Sequence, residues 1–425
     1  MSRIYSPGIM LPRSVTACLL LILSGCAQRP SREIIPRTGV WRMEMDLEGA
    51  VLPFQFQLQR PADSTWTALI QNASESIVVK DIELHHDTFV MRMPLFDSEF
   101  RGLLLSDSLI EGEWHNHLKG PDHRIRFIAR AGQTHRFAGP SNGSGRFAGT
   151  WEAHFSPGTA DAYNAIGIFE QGPDGRAIGT FVTETGDYRF LEGSVHEDSL
   201  WLSSFDGSHA FLFSARLRGD SIEGQFRSGT HWQEPWIGIR NPSYELRNPD
   251  SLTFLKEGYD MADFTFPDLD GNDVSPHDPR FRNKVLMLQV MGSWCPNCVD
   301  ETILLKDLHE EYAARGLDVI AIAFEKYMDD SKAIQALRRF KTTLGIPYTI
   351  VYAGMASKEQ AAAKLPFLDH IMSYPTCIFV DRSGKVRRIR TGFNGPSTGK
   401  HFEAYKRNLR HFVEQLLGEA AADTI

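Results

Sequence analysis

The sequence predicts two architectures in one chain: an antiparallel all-β region that occurs twice, then an α/β region whose parallel or mixed sheet is covered by helices. Three observations carry this. From Gly39 to about Asn241, short apolar-alternating runs follow one another with turn signals about every eight to twelve residues, and no long helical periodicity interrupts them. Inside that region Gly39-Val40-Trp41 recurs as Gly149-Thr150-Trp151, and Asp87-Thr88-Phe89-Val90 as Asp198-Ser199-Leu200-Trp201. Ile110-Glu111-Gly112-Glu113-Trp114 recurs as Ile222-Glu223-Gly224-Gln225-Phe226, and all three pairs keep an offset of about 110 residues. After Gly258, strand-length apolar runs alternate with helix-length periodic ones, the order that sandwiches a sheet between helices.

At 425 residues the chain has room for several cores. A net charge of −8 without a basic block argues against nucleic acid as a partner. Five cysteines are too few for a disulfide scaffold. Cys18 and Cys26 lie at the start, and Cys295, Cys298 and Cys377 in the last third.

The first segment has the pattern of a targeting signal. Arg3 and Arg13 supply positive charge, and Val15 to Leu23 is an apolar core too short to cross a bilayer as a helix. It ends in Leu23-Ser24-Gly25-Cys26, which resembles the lipobox of bacterial lipoproteins. The resemblance implies cleavage before Cys26, lipidation of Cys26, and a membrane-anchored protein facing an extracytoplasmic space such as the periplasm. The expected organisation is a signal over 1–25, a polar tether over 26–38, β modules over 39–138 and 146–241, a linker over 242–257 and an α/β domain over 258–420.

Strands are expected over Val40 to Leu47, Phe54 to Gln59 and Phe89 to Met93, with Asp174-Gly175 and Asp206-Gly207 as hairpin turns. Each copy has room for about eight strands, enough for a meander closing into a small barrel; one two-sheet sandwich built from both copies is the alternative. The joint between them, Pro140-Ser141-Asn142-Gly143-Ser144-Gly145, has a flexible composition. Trp41, Trp66, Trp114, Trp151 and Trp201 are expected in the core. His115 and His117 share a strand face, where a solvated face is the plainer reading than a metal pair.

In the α/β region, Phe264 to Asp268 and Val285 to Val290 are expected strands. A helix from Glu301 to Arg315 should stop at Gly316, with a buried strand over Leu317 to Phe324. A second helix is expected from Asp330 to Leu344, capped by Asp330 or Ser331, then a strand over Tyr348 to Tyr352 and a short helix over Ser357 to Leu365. Thr376 to Val380 and Lys385 to Arg390 should pair through the turn Asp381-Arg382-Ser383-Gly384, and His401 to Leu417 should close the domain as a helix.

The chemistry centres on Trp294-Cys295-Pro296-Asn297-Cys298, which stands where an apolar strand run ends and helical spacing begins. The free N–H groups at a helix start stabilise an anion, and a thiolate is one. At a pKa near 8.5 roughly 3% of a thiol is ionised at pH 7, whereas at a pKa near 7 about half is. Cys295, nearer the helix start, is the expected nucleophile, and Cys298, one turn on, the resolving thiol. The same spacing is half a zinc site, but Cys377 stands alone and no histidine pair accompanies it, so no metal is expected.

From about Gly258 to Leu417 the chain resembles the thioredoxin fold, and within it the membrane-anchored, TlpA-like thiol–disulfide oxidoreductases of bacterial envelopes. The motifs are Ala262-Asp263-Phe264 and Asp268-Leu269-Asp270-Gly271 in an opening hairpin, Lys284-Val285-Leu286 before the cysteines, Tyr374-Pro375-Thr376, and Phe379-Val380-Asp381-Arg382-Ser383-Gly384-Lys385. The resemblance implies a redox disulfide between Cys295 and Cys298 and a cis peptide at Tyr374-Pro375. It also implies a substrate surface made by Trp294, Pro296, Tyr374, Pro375 and Thr376, and no cofactor. Glu301 is then a candidate proton acceptor for Cys298, since Gln289 stands where cytoplasmic thioredoxins keep a buried aspartate. Cys377 reads as a buried apolar residue. The expected partners are client proteins with disulfides and a membrane thiol-electron carrier as reductant. The alternatives are a thiol peroxidase of the peroxiredoxin type, and a surface ligand-binding lipoprotein with an accessory redox domain. Against the peroxidase, Gly292 stands where that pattern needs a threonine.

Overall fold

The computed structural model describes residues 34–61, 65–138 and 145–420. The signal segment, Cys26 and the first part of the tether lie outside the described residues, as do residues 139–144 of the joint. From Ile34 onward the chain packs as one unit.

The alternating runs of the first copy form nine strands: β1 (Gly39–Asp46), β2 (Val51–Gln59), β3 (Thr67–Asn72), β4 (Glu75–Val79), β5 (Asp81–His85), β6 (Thr88–Arg92), β7 (Ser98–Ser106), β8 (Leu109–Asn116) and β9 (Arg124–Ala131). They hydrogen-bond in the order β4-β3-β2-β1-β9-β8-β7-β6-β5. The two edge strands are one run broken at Lys80, so the sheet curls round and its edges meet through the chain itself. The second copy is a closed eight-stranded barrel: β10 (Gly149–Phe155), β11 (Tyr163–Gln171), β12 (Arg176–Thr183), β13 (Leu191–His196), β14 (Ser199–Phe205), β15 (Ala210–Arg218), β16 (Ser221–Ser228) and β17 (Trp232–Arg240). β17 returns to pair with β10, and closure removes both sheet edges. At an offset of about 110 residues, the counterpart of β4 in this second copy keeps a single bridge to β12, Val182 with Asp187, and otherwise runs as a loop through Tyr188 and Arg189.

Trp41, Trp66, Trp114 and Trp151 are buried as expected. Trp201 is not; it is 38% exposed. Leu200 and Leu202 on either side of it fill the barrel, and strand alternation sends the residue between them outward. The two copies are not beads on a string. Phe205, at the end of β14, stacks on Phe54 of β2 with centroids 4.7 Å apart and packs on Phe100 and Trp114. Buried Arg136 donates to Ser203 O at 2.9 Å and to Gln71 O at 2.6 Å, joining the walls of both copies.

The α/β region builds a five-stranded mixed sheet from β20 (Val285–Met291), β21 (Leu317–Glu325), β22 (Thr349–Met355), β23 (Thr376–Val380) and β24 (Val386–Thr391), in the order β22-β21-β20-β23-β24. A small hairpin, β18 (Phe266–Pro267) and β19 (Asp273–Val274), precedes it. β20 is apolar at almost every position because both faces are covered. Val285 and Met287 pack with α1 (Pro296–Tyr312), α2 (Asp330–Leu344) and α4 (Lys400–Gly418), while Leu286, Leu288 and Val290 pack with the hairpin and α3 (Lys358–Lys364).

One helix start and one helix cap differ from expectation. α1 begins at Pro296 rather than Glu301, because Cys295 itself caps it and proline suits the first helical position. α2 is capped by Asp329, whose carboxylate accepts from Ser331 N and Lys332 N. Residues 249–256, expected as linker, lie against the α/β sheet: Leu252 is buried, Asp250 pairs with Arg388 and Arg390, and the Thr253 and Thr391 hydroxyls bond at 2.7 Å.

Candidate active site

The site forms where β20 runs into α1. Cys295 and Cys298 are joined as a disulfide with Cα atoms 5.2 Å apart. Cys295 Sγ accepts the Cys298 N–H at 3.2 Å, so the sulfur sits where the free N–H groups of the helix point. Cys298 is fully buried and Cys295 is 5% exposed, which leaves Cys295 as the reachable sulfur. Tyr374 O lies 3.5 Å from Cys295 Sγ, and the Tyr374-Pro375 peptide is cis.

The turn that carries the cysteines is held from below. Ser293 donates through its backbone N–H at 2.7 Å and its hydroxyl at 2.9 Å to the carboxylate of Glu325, the buried last residue of β21. Burial pushes Glu325 up to about 7 although both bonds favour its charge. The Trp294 indole donates to Phe324 O at 2.9 Å, and the Lys326 ammonium lies 3.8 Å from the ring centroid.

Glu301, one turn after Cys298, is fully buried. Burial raises it to about 7, against a hydrogen bond from Gln289 Nε2 at 2.9 Å. The same Gln289 amide lies 3.4 Å from Cys298 O, and Gln289 Oε1 accepts from Thr302 Oγ1 at 3.1 Å. Glu301 is therefore a carboxylate whose titration falls near neutrality, one helical turn beyond Cys298. Cys377 is free and buried opposite Gln289 in the β20–β23 pairing, and burial pushes its thiol up.

Of the expected substrate surface, Trp294, Pro296 and Tyr374 line a cleft with Cys295, whereas Pro375 and Thr376 lie beneath it, buried. The Thr376 hydroxyl bonds back to Ser373 O at 2.9 Å and shapes the loop from behind. His115 and His117 are not among the residues that line the cleft; their rings are 6.3 Å apart, and His117 meets Glu99 at 3.2 Å.

Sequence reasoning missed what lies across from the cysteines. Arg189, in the loop where the second copy departs from the first, is buried among all three parts of the chain. It donates to Pro296 O at 3.0 Å and Asp300 Oδ2 at 2.8 Å, pairs with Glu75 of β4, and lies 3.6 Å from Asp206. Burial works against its charge, but Asp300, Glu75 and Asp206 outweigh it and raise its pKa. Asp300 stays up at about 7 because burial exceeds the pull of Arg189. Asp187 accepts from the Gly395 N–H and from Ser397 Oγ, tying the same loop to the segment before α4. Only the acidic pair Asp300-Glu301 was a local signal; Pro296, Asp300 and Glu75 each lie more than a hundred positions from Arg189.

Residues 256–406 match the Redoxin family model. The chain is similar to the thioredoxin-like protein YneN of Bacillus subtilis (strain 168), 26% identical over 138 residues that cover 32% of this chain and 73% of that protein. It is similar to the thiol-disulfide oxidoreductase ResA of Geobacillus thermodenitrificans (strain NG80-2), 24% identical over 155 residues, 36% of this chain and 80% of that protein. Among solved structures, a thiol:disulfide interchange protein of the thioredoxin family from Chlorobium tepidum TLS aligns at 22% identity and a TM-score of 0.30, covering 38% of this chain and 99% of that one.

Proposed function

We propose that the C-terminal part of this chain, which is similar to Redoxin-family and ResA-type proteins, is a TlpA-like thioredoxin-fold thiol–disulfide oxidoreductase working through Cys295 and Cys298. The observation that carries the reading is a disulfide-joined cysteine pair at a helix start, its outer sulfur accepting a backbone N–H and lying 3.5 Å from the Tyr374 carbonyl in the wall of a cleft. In the reducing direction the Cys295 thiolate attacks one sulfur of a substrate disulfide. That S–S bond breaks, the departing thiolate takes a proton, and a mixed disulfide forms. Cys298 loses its proton to Glu301 and attacks Cys295 Sγ. The substrate leaves as a dithiol, carrying two electrons, and Cys295–Cys298 is oxidised. An external dithiol then resets the pair.

We place this activity in the cell envelope, with Cys26 as a lipid anchor, disulfide-bearing client proteins as substrates, and a membrane thiol-electron carrier as the resetting reductant. No helix of the described residues is long and apolar enough to cross a membrane. The peroxidase alternative meets a steric obstacle. A side chain at Gly292 would stand 2.6 Å from Phe324 O and closer still to the Trp294 indole.

The test is a trap. Cys298→Ser, expressed in cells that express the natural protein, should accumulate disulfide adducts on Cys295 that a reductant releases, and Cys295→Ser should accumulate none. Absence of adducts on Cys298→Ser would count against the catalytic reading.

A further inference from the structure

The mouth of the second barrel closes over the dithiol. Ser208 Oγ lies 3.4 Å from Trp294 O, Arg189 donates to Pro296 O, and Asn297 Nδ2 lies 3.4 Å from Asp187 O. Each residue of the Trp294–Asn297 turn except Cys295 therefore touches the barrel or its loops. These contacts occupy the surface against which a folded client would press. What remains is a cleft of about 700 Å³ with Cys295 in its wall. A slim molecule or an extended segment can enter it; a broad protein face cannot.

Three carboxylates and three Lys or Arg side chains line the cleft, and they differ in how they are partnered. Its carboxylates are already engaged: Glu184 by Arg247, Asp187 by Gly395 and Ser397, Glu234 by Ser156 and Tyr163. Lys119 and Lys326 also line it, and neither has a salt-bridge partner among the described residues. Lost hydration, and then the nearby Lys326, lower Lys119 to about 8, as expected of two ammonium groups crowded at one opening. Ser373 and Tyr374 also line the cleft, and their hydroxyls are buried without a hydrogen-bond partner among the described residues.

We propose that this cleft is the substrate site and that it takes a slim disulfide bearing a carboxylate, drawn in by Lys119 and Lys326 and presented to Cys295 beside the Ser373 and Tyr374 hydroxyls. The carboxylate can belong to a small thiol compound or to an acidic residue beside a cysteine in an extended segment. The proposal rests on the oxidoreductase reading and narrows it, and the electron balance is the one given above.

The experiment is single-turnover oxidation of the pre-reduced protein, followed by tryptophan fluorescence. The probes are oxidised glutathione (anionic), cystamine (cationic) and 2-hydroxyethyl disulfide (neutral). A second pair consists of disulfide-closed peptides that differ only in glutamates or lysines beside the cysteines. Each rate is divided by that of the same probe with dithiothreitol, which removes intrinsic reactivity. An anionic-over-cationic preference of roughly tenfold or more is expected, weakening with salt. It should collapse towards one in Lys119→Ala/Lys326→Ala and persist in Lys119→Arg/Lys326→Arg. Preference confined to oxidised glutathione identifies a small compound, and preference confined to the peptides an extended segment; either supports the proposal. Equal rates across charge, or a preference untouched by the double alanine variant, overturn it while leaving the oxidoreductase reading intact if the neutral probe still reacts. No reaction with any probe overturns both.

Discussion

In the proposed reaction, Glu301 and Gly292 are single residues on which the chemistry turns. Glu301 is buried, raised to about 7, and one helical turn beyond Cys298. Below pH 7 it holds its proton and cannot take one from the resolving thiol; above, it can. Release of the mixed disulfide should accelerate as pH rises through 7. Glu301→Gln should remove that inflection and slow release by about 100-fold at pH 7.5, in the range of general base catalysis; stopped-flow resolution of a preformed mixed disulfide reads both. At Gly292 the prediction is steric. Gly292→Thr, the residue a peroxidase pattern would have, should displace the Trp294 indole from Phe324 O and lower the rate of disulfide reduction without creating hydrogen peroxide turnover, measured by peroxide consumption. The cysteines and Glu301 were legible because their relation is local, one helix turn and one strand end. Glu325 was not: it ends an apolar run, and only the tertiary fold brings Ser293 to it.

At the scale of elements, the loop around Arg189 decides whether the β region and the redox region act together. The first copy keeps the corresponding stretch in its sheet as β4, while the second keeps one bridge to β12 and carries Arg189 to the start of α1. Arg189→Ala would leave Asp300, Glu75 and Asp206 buried without their shared cation. Breaking a buried charge cluster typically costs about 3–5 kcal/mol, and urea unfolding should show a loss of that order. Arg189→Lys should recover only part of it, since a single ammonium cannot reach Pro296 O, Asp300 and Glu75 in the same fork. A loss under 1 kcal/mol, roughly the worth of an exposed pair, would mean that the loop does not hold the parts together. The repeat itself was readable because its turns and tryptophans are spaced alike in both copies. The docking was not, because nothing in the periodicity of a strand says which surface its hairpin meets. The same applies to Phe205, whose ring belongs to one copy by sequence and to the core of the other by packing.

For the molecule as a whole, the buried carboxylates around the dithiol set the response to pH. Asp300, Glu301 and Glu325 are each raised to about 7 by burial. The folded chain keeps protons there that the unfolded chain gives up near pH 4, so stability falls as pH rises from about 4 through 7. Asp206 and Asp318 act in the opposite sense: burial resists their charge, but His209 and Arg189 for the first, and His309 and Lys284 for the second, hold them at about 2. Their contribution is complete above about pH 4 and is lost as pH falls towards 2. The thermal midpoint of the oxidised protein should therefore be highest near pH 5 and lower at pH 8; a midpoint that rises from 5 to 8 would contradict the assignment. Composition and charge bounded this chain correctly as a large, multi-core protein, but could not foresee ionisable groups packed between its parts.

The most direct measurement is the pH dependence of iodoacetamide alkylation of the reduced protein, with labelled cysteines located by mass spectrometry. A sulfur at the start of α1 that accepts a backbone N–H should react as a thiolate at pH 6, so Cys295 takes the label quickly there while Cys298 and Cys377 stay unmodified. Labelling of Cys298 or Cys377 ahead of Cys295, or a Cys295 no faster at pH 6 than free cysteine, would contradict the account.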